Sequence, residues 1–151
     1  MKTFEQKLDD YAKLITRVGL NIQKDQDFII TAPVSAVEFI RLIVKEAYSL
    51  GAKEIYYRWY DDELSLIRYN QAPDSVFDTF PKWMADGYTE LVKNGTAVLS
   101  VFVSDPELLK DVSPDKIKRD TITRSNAFKE YKDYVMNGSS NWCVVSVPSI
   151  P

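Results

Sequence analysis

Histidine is absent from this chain of 151 residues, and cysteine occurs once, at Cys143. Without imidazole there is no Ser–His or Cys–His catalytic pair and no zinc site with a histidine ligand. A single cysteine cannot close an internal disulfide, which fits a reducing, cytoplasmic compartment. Positive charge is not in excess either: 19 Lys and Arg stand against 22 Asp and Glu, a net charge of -3. That argues against a nucleic-acid partner, which normally meets a basic face able to displace counterions from phosphate. No apolar run approaches the roughly 20 residues needed to span a bilayer. The opening MKTFEQKLDDYAKL lacks the apolar stretch of a signal peptide. Neither nucleic acid nor membrane is expected as a partner.

What is present suits a folded protein. The chain is 45% hydrophobic and 13% aromatic, and its length fits a single domain over residues 1–151. Phe4, Leu8, Tyr11, Ile15 and Val18 make one helical stripe, with Thr3 and Gln6 at capping-box spacing and Gly19 as a left-handed stop. Phe28–Ala32 reads as a strand. Ser35–Leu50 reads as a second helix, capped by Ser35 with Glu38 and ended by Gly51. Glu54–Tyr60 is rich in β-branched and aromatic residues and reads as the second strand. A short helix through Arg68 follows, and then one or two helices over Ser75–Asn94, interrupted at Pro81. Thr96–Ser104 is a third strand, apolar enough to be covered on both faces. Asp105-Pro106 and Ser113-Pro114 each look like a cap followed by proline at the first helical position, and the second opens a long helix ending near Asn137-Gly138. Trp142–Val147 is the fourth strand. Strands alternating with helical segments predict an α/β fold: a mostly parallel, Rossmann-like sheet of about four or more strands, with helices on both faces.

The last strand is so apolar that it is expected at the centre of its sheet, yet only Pro148–Pro151 follow it. Either other helices cover it, or the natural protein continues past Pro151; the second is the expectation.

Open parallel sheets bind ligands beyond the carboxyl ends of their strands. The first such loop, Thr31–Ser35, has no glycine, so it carries neither a dinucleotide fingerprint nor a P-loop. The second places Asp61, Asp62 and Glu63 beside Trp59 and Tyr60. It can hold a hard cation or a ligand amino group, or the two aspartates can simply cap the next helix. Arg68, two helical turns on, is able to face the same cleft as Asp61. On the long helix, Ile117, Thr121, Arg124, Phe128, Tyr131 and Val135 form a stripe in which Arg124 interrupts a mostly apolar face. Arg124 either pairs with a carboxylate, holds an anion, or snorkels to the rim. Cys143 reads as a small buried residue with no adjacent cation to activate it. Asp61, Arg68 and Arg124 are therefore candidate cleft or domain-interface residues, and no catalytic residue can be named.

The order of motifs resembles the amino-terminal domain of the thermophilic-type metallo-aminopeptidases, the family of aminopeptidase T, aminopeptidase S and PepS. The likeness is carried by Val18-Gly19-Leu20-Asn21, FIITAPVSAVEFIRLIVKEAYSLGAKEI, Trp59-x-Asp61 with Leu64 and Arg68-Tyr69, Phe80-Pro81-Lys82-Trp83, and Trp142-Cys143 with Val147-Pro148. It implies a cytoplasmic, dimeric exopeptidase that removes amino-terminal residues from peptides, using two divalent metal ions, zinc or cobalt, to polarise the carbonyl and activate water. In that family the metals are held by glutamate, histidine, tyrosine and aspartate of a carboxyl-terminal domain. This chain has no histidine and stops where that domain begins, so none of those ligands carries over. The resemblance implies a non-catalytic front half that holds no metal, partnered by the carboxyl-terminal catalytic domain across an exposed apolar patch. The alternatives are a stand-alone small-ligand or protein-binding module, and a Mg²⁺ enzyme built on Asp61, Asp62 and Asp105.

Overall fold

The computed structural model describes residues 1–103 and 105–147. Helix α1 (Phe4–Leu14) begins at Thr3, where the Thr3 Oγ1 accepts from the Gln6 amide and the Gln6 side chain accepts from the Thr3 amide, the expected reciprocal cap. The helix then widens into a π-helical turn, Ile15–Gly19, in which the Leu20 amide donates to the Ile15 carbonyl at 2.8 Å. Gly19 is therefore not a left-handed stop. The residue with positive φ is Asn21, at 48°. What Gly19 permits is a close approach: a Cβ there would lie 3.1 Å from the Cys143 sulfur.

Strand β1 (Phe28–Pro33) leads through a 3₁₀ turn, Val34–Ala36, into α2 (Val37–Ser49). The tight turn delays the helix, so Ser35 falls inside the turn and the predicted Ser35 cap is not made; Ala36 occupies the cap position with no side-chain bond. At the other end Gly51 does stop the helix. Its φ is 98°, and the amides of Gly51 and Ala52 return to the carbonyls of Tyr48 and Ala47, a Schellman closure.

Strand β2 (Ile55–Tyr60) is followed by α3 (Asp62–Gln71), a 3₁₀ turn (Asp74–Asp78), α4 (Lys82–Lys93) and β3 (Ala97–Phe102). The interruption at Pro81 is as expected. Ser104, which the sequence places at the end of the third strand, lies outside the described residues, as do Pro148–Pro151. No helix forms at Asp105-Pro106: Asp105 Oδ1 accepts from the Glu107 amide and the chain runs in turns to Val112. Pro114 does open a helix, α5 (Pro114–Ala127), although Ser113 makes no side-chain cap. The long helix then breaks at Phe128, whose φ of -97° and ψ of 14° leave the helical region, and resumes as α6 (Lys129–Met136). Strand β4 (Trp142–Ser146) completes the set.

The four strands are all parallel, in the order β2-β1-β3-β4. Residues alternate between faces along each strand, and the register keeps like with like: Phe28 lies beside Ile55 and Ala97, and Leu99 beside Cys143. On one face, Phe28, Ile30, Ala32, Leu99, Val101 and Val145 pack against α1 and α2. On the other, Ile29 and Val98 pack against Val92 of α4 and Val135 of α6. Helices on both faces of a parallel sheet are what the alternation predicts.

Among the described strands the fourth is an edge. Cys143 and Val145 face the core, while Trp142 and Val144 point to the opposite side, where with Phe102 of β3 they remain exposed. A hydrophobic run signals burial on two faces only when both are covered, and within this piece Trp142, Val144 and Phe102 stay about half exposed.

Replacing Gly51 with alanine should cost about 1–2 kcal/mol, because an L-residue is strained at this positive φ and its Cβ would meet the Lys24 backbone at 3.2 Å. Gly87, inside α4 with open space where a Cβ would stand, is the contrast: Gly87→Ala should add about 0.5–1 kcal/mol. Urea denaturation of both variants checks the pair, and equal effects would contradict the assignment.

Candidate functional site

Helix α3 starts at Asp61, whose Oδ2 accepts from the Leu64 amide at 3.0 Å. Asp61 is thus a helix cap, and no hydrogen bond or ion pair joins it to Arg68 among the described residues. Asp62, Asp61 and Asp105 do not converge. Among the described residues no group of three or more Cys, Asp or Glu side chains is placed to hold a metal ion, and the Mg²⁺ reading has no site. The neighbouring Tyr60 hydroxyl donates to the Val101 carbonyl at 3.0 Å. Since β1 lies between β2 and β3, the ring bridges the carboxyl end of β1, where the strand order reverses and such sheets usually admit ligands.

Arg68 and Arg124 are brought together, through a residue the sequence did not single out. Asp120, on α5 and only 5% exposed, accepts from Arg68 at 2.9 Å, from the Tyr69 hydroxyl at 2.9 Å and from Arg124 Nε at 3.3 Å. Burial opposes its charge, but the hydrogen bonds from Arg68 and Tyr69 and the nearby charge of Arg124 outweigh that, and the pKa of Asp120 lies below the usual aspartate value. Tyr69 moves the other way: burial and its bond to the Asp120 anion raise it. The carboxylate of Asp120 is therefore the fixed negative point of this corner.

The rest of α5 docks in the same manner. Lys116 Nζ donates to the Tyr69 carbonyl at 2.9 Å, and Thr123 Oγ1 to the Phe77 carbonyl at 2.8 Å. Arg119 donates to Asp74 and Asp78 of the 3₁₀ turn and to Asp115 of its own helix, and its hydrogen bonds draw the Asp74 and Asp78 carboxyls down in pKa. The inward face of α5 is thus the polar row Lys116, Arg119, Asp120, Thr123. The stripe expected there does not hold: Thr121 and Arg124 are exposed, and only its later members, Phe128 and Val135, are buried. Arg124 lies at the rim, its guanidinium 5.4 Å from the Phe80 ring centre. The signal available in the sequence was the i, i+3, i+4, i+7 spacing of this polar row.

Beside Asp120 opens a groove of about 380 Å³, whose lining includes Arg58, Tyr69, Arg124, Phe128, Tyr131 and Lys132. Arg58 reaches it from β2, its guanidinium 4.3 Å from the Tyr88 ring centre and 5.0 Å from that of Phe128. Cys143 is far from this chemistry; half-buried on β4, its thiol is raised in pKa by burial.

The sequence pattern of the thermophilic metalloproteases of family M29 matches residues 4–150. The chain belongs to that family. It is 40% identical over 149 residues to aminopeptidase AmpS of Bacillus subtilis (strain 168), which covers 99% of this chain and 36% of that protein. It is 35% identical over 145 residues to aminopeptidase T of Thermus thermophilus, with 96% and 36% covered. A solved structure, wild-type AmpT from Thermus thermophilus, superimposes with a TM-score of 0.90 at 35% identity, covering 95% of this chain and 36% of that one. The M29 chain thus spans about a third of the length of these relatives, and over that third its fold is that of the solved AmpT structure.

Replacing Asp120 with alanine is expected to cost about 2–4 kcal/mol, slightly below a fully buried pair because Arg68 and Arg124 reach solvent. The pH dependence has a defined sign. The unfolded carboxyl titrates near 3.9 and the folded one lower, so between the two the unfolded state binds more protons. This contribution is complete above about pH 4 and is lost as pH falls through the folded value. Urea midpoints measured on both sides of that window should converge for Asp120→Asn and the parent at the acid end; a constant gap would contradict the pairing.

Proposed function

We propose that this chain is the amino-terminal, non-catalytic domain of a longer metal-dependent aminopeptidase that removes amino-terminal residues from peptides. The observation that carries the reading is coverage. Nearly the whole chain aligns with a constant third of relatives named as aminopeptidases. The donor set fits the same division of labour: with no histidine and no cluster of acidic or thiol ligands among the described residues, the side chains here do not suit a metal pair. The two divalent ions, zinc or cobalt, would belong to the carboxyl-terminal catalytic domain of the same polypeptide, and no chemical step is assigned to this part.

The exposed corner formed by Phe102, Trp142 and Val144 supports a covered role in the parent, since clustered apolar side chains of this size usually meet a partner. In this reading the catalytic domain packs there, and the parent works as a cytoplasmic homodimer. No described helix is long and apolar enough to cross a membrane.

The test is the intact mass of the native protein from its source cells. A mass well above the 17.4 kDa of this chain, in a species that releases amino-terminal residues only with zinc or cobalt, is the expected result. A native mass of 17.4 kDa would overturn the proposal in favour of a stand-alone binding module.

A further inference from the structure

The groove beside Asp120 holds more positive charge than its own acid can neutralise. Asp120 is the one carboxylate in its lining, and it already accepts from Arg68 and Tyr69 at 2.9 Å each. Arg124 takes what remains of it, through a longer 3.3 Å contact. Arg58 makes no hydrogen bond or ion pair among the described residues and is held only by the rings of Tyr88 and Phe128. Lys132 has a single partner, the neutral Ser125 hydroxyl at 3.5 Å. Three cations thus face one space of about 380 Å³ in a chain whose net charge is -3.

Two physical properties make this a binding arrangement rather than a scatter of surface charge. The two rings hold the Arg58 guanidinium at 4.3 and 5.0 Å from their centres without using its N–H donors, so the fork that suits an oxyanion stays free. The remaining walls combine hydroxyls, Thr121 and Ser125, with the aromatic side chains of Phe128 and Tyr131. Apolar walls with a few convergent polar groups are the usual make-up of a small-ligand site.

We propose that this groove is a binding site for a small ligand carrying a carboxylate or phosphate, with Arg58, Arg124 and Lys132 holding the oxyanion and the part-exposed Tyr131 receiving an attached apolar group. The inference stands on this chain alone and is independent of the aminopeptidase reading; either can fail without the other.

Calorimetric titration of the 151-residue chain tests it, with phenylacetate and phenyl phosphate as probes, benzyl alcohol as the uncharged control, and ionic strength held constant with potassium chloride. The site predicts saturable binding tighter than about 10 mM for at least one anion and none for the alcohol. Which anion binds more tightly distinguishes carboxylate from phosphate as the natural group. Arg124→Gln and Lys132→Gln, both at exposed positions, should each weaken binding about fivefold or more while the far-ultraviolet spectrum stays unchanged. Absence of saturation by both anions, equal binding of benzyl alcohol, or affinity untouched by both substitutions would overturn the proposal.

Discussion

Everything in this structure follows from two strands that must be covered on both faces. β1 and β3 occupy the middle of a parallel sheet, with Phe28, Ile29, Ile30, Leu99 and Val101 essentially sealed from solvent. Parallel neighbours cannot be joined by tight hairpins, so each crossover carries a helix, and the helices supply the cover the strands require. Burying each of these large side chains is worth about 1.5–3 kcal/mol. The exposed ion pairs, such as Lys2–Asp10 and Lys82–Asp86, lie in screening solvent and add little by comparison. Stability is thus concentrated at the centre of the sheet, and the two edges are left with freedom to do other things.

Helix α5 obeys a different rule. It is placed by charge and hydrogen bonds, through Lys116, Arg119, Asp120 and Thr123, against α3 and the 3₁₀ turn before α4. Such a seam is directional in a way an apolar face is not: a rotation of one residue would leave Asp120 buried without its partners. It also apportions charge. One carboxylate satisfies Arg68, Tyr69 and part of Arg124, while among the described residues the Arg58 side chain across the groove keeps its donors free.

This contrast sets what the sequence could reveal. Elements with an apolar period were legible, down to the Thr3–Gln6 cap, the Gly51 stop and the interruption at Pro81, since local chemistry and burial agree there. The apolar stripe on the second half of the long helix likewise led to Phe128 and Val135. It misled on the first half, because a helix docked through a polar row gives no hydrophobic signal, and the residue at the centre of the candidate site, Asp120, looked like any solvated aspartate. Asp61 had two readings, and the local one, a cap on α3, is made. β4 was legible as a strand but not its neighbours: Trp142 and Val144 are as apolar as Cys143 and Val145, yet within this piece only the second pair faces the core.

The contact between Gly19 and Cys143 links the first helical segment to the last strand. A ribosome delivers these two residues far apart in time. Until β4 emerges and lays its sulfur against Gly19, β3 lacks its outer neighbour and the first helix lacks part of its seat. The nascent chain therefore remains a half-built sheet with an open edge until Trp142–Ser146 has been made. That interval is the one in which a growing α/β protein is exposed to wrong strand partners and to chaperones.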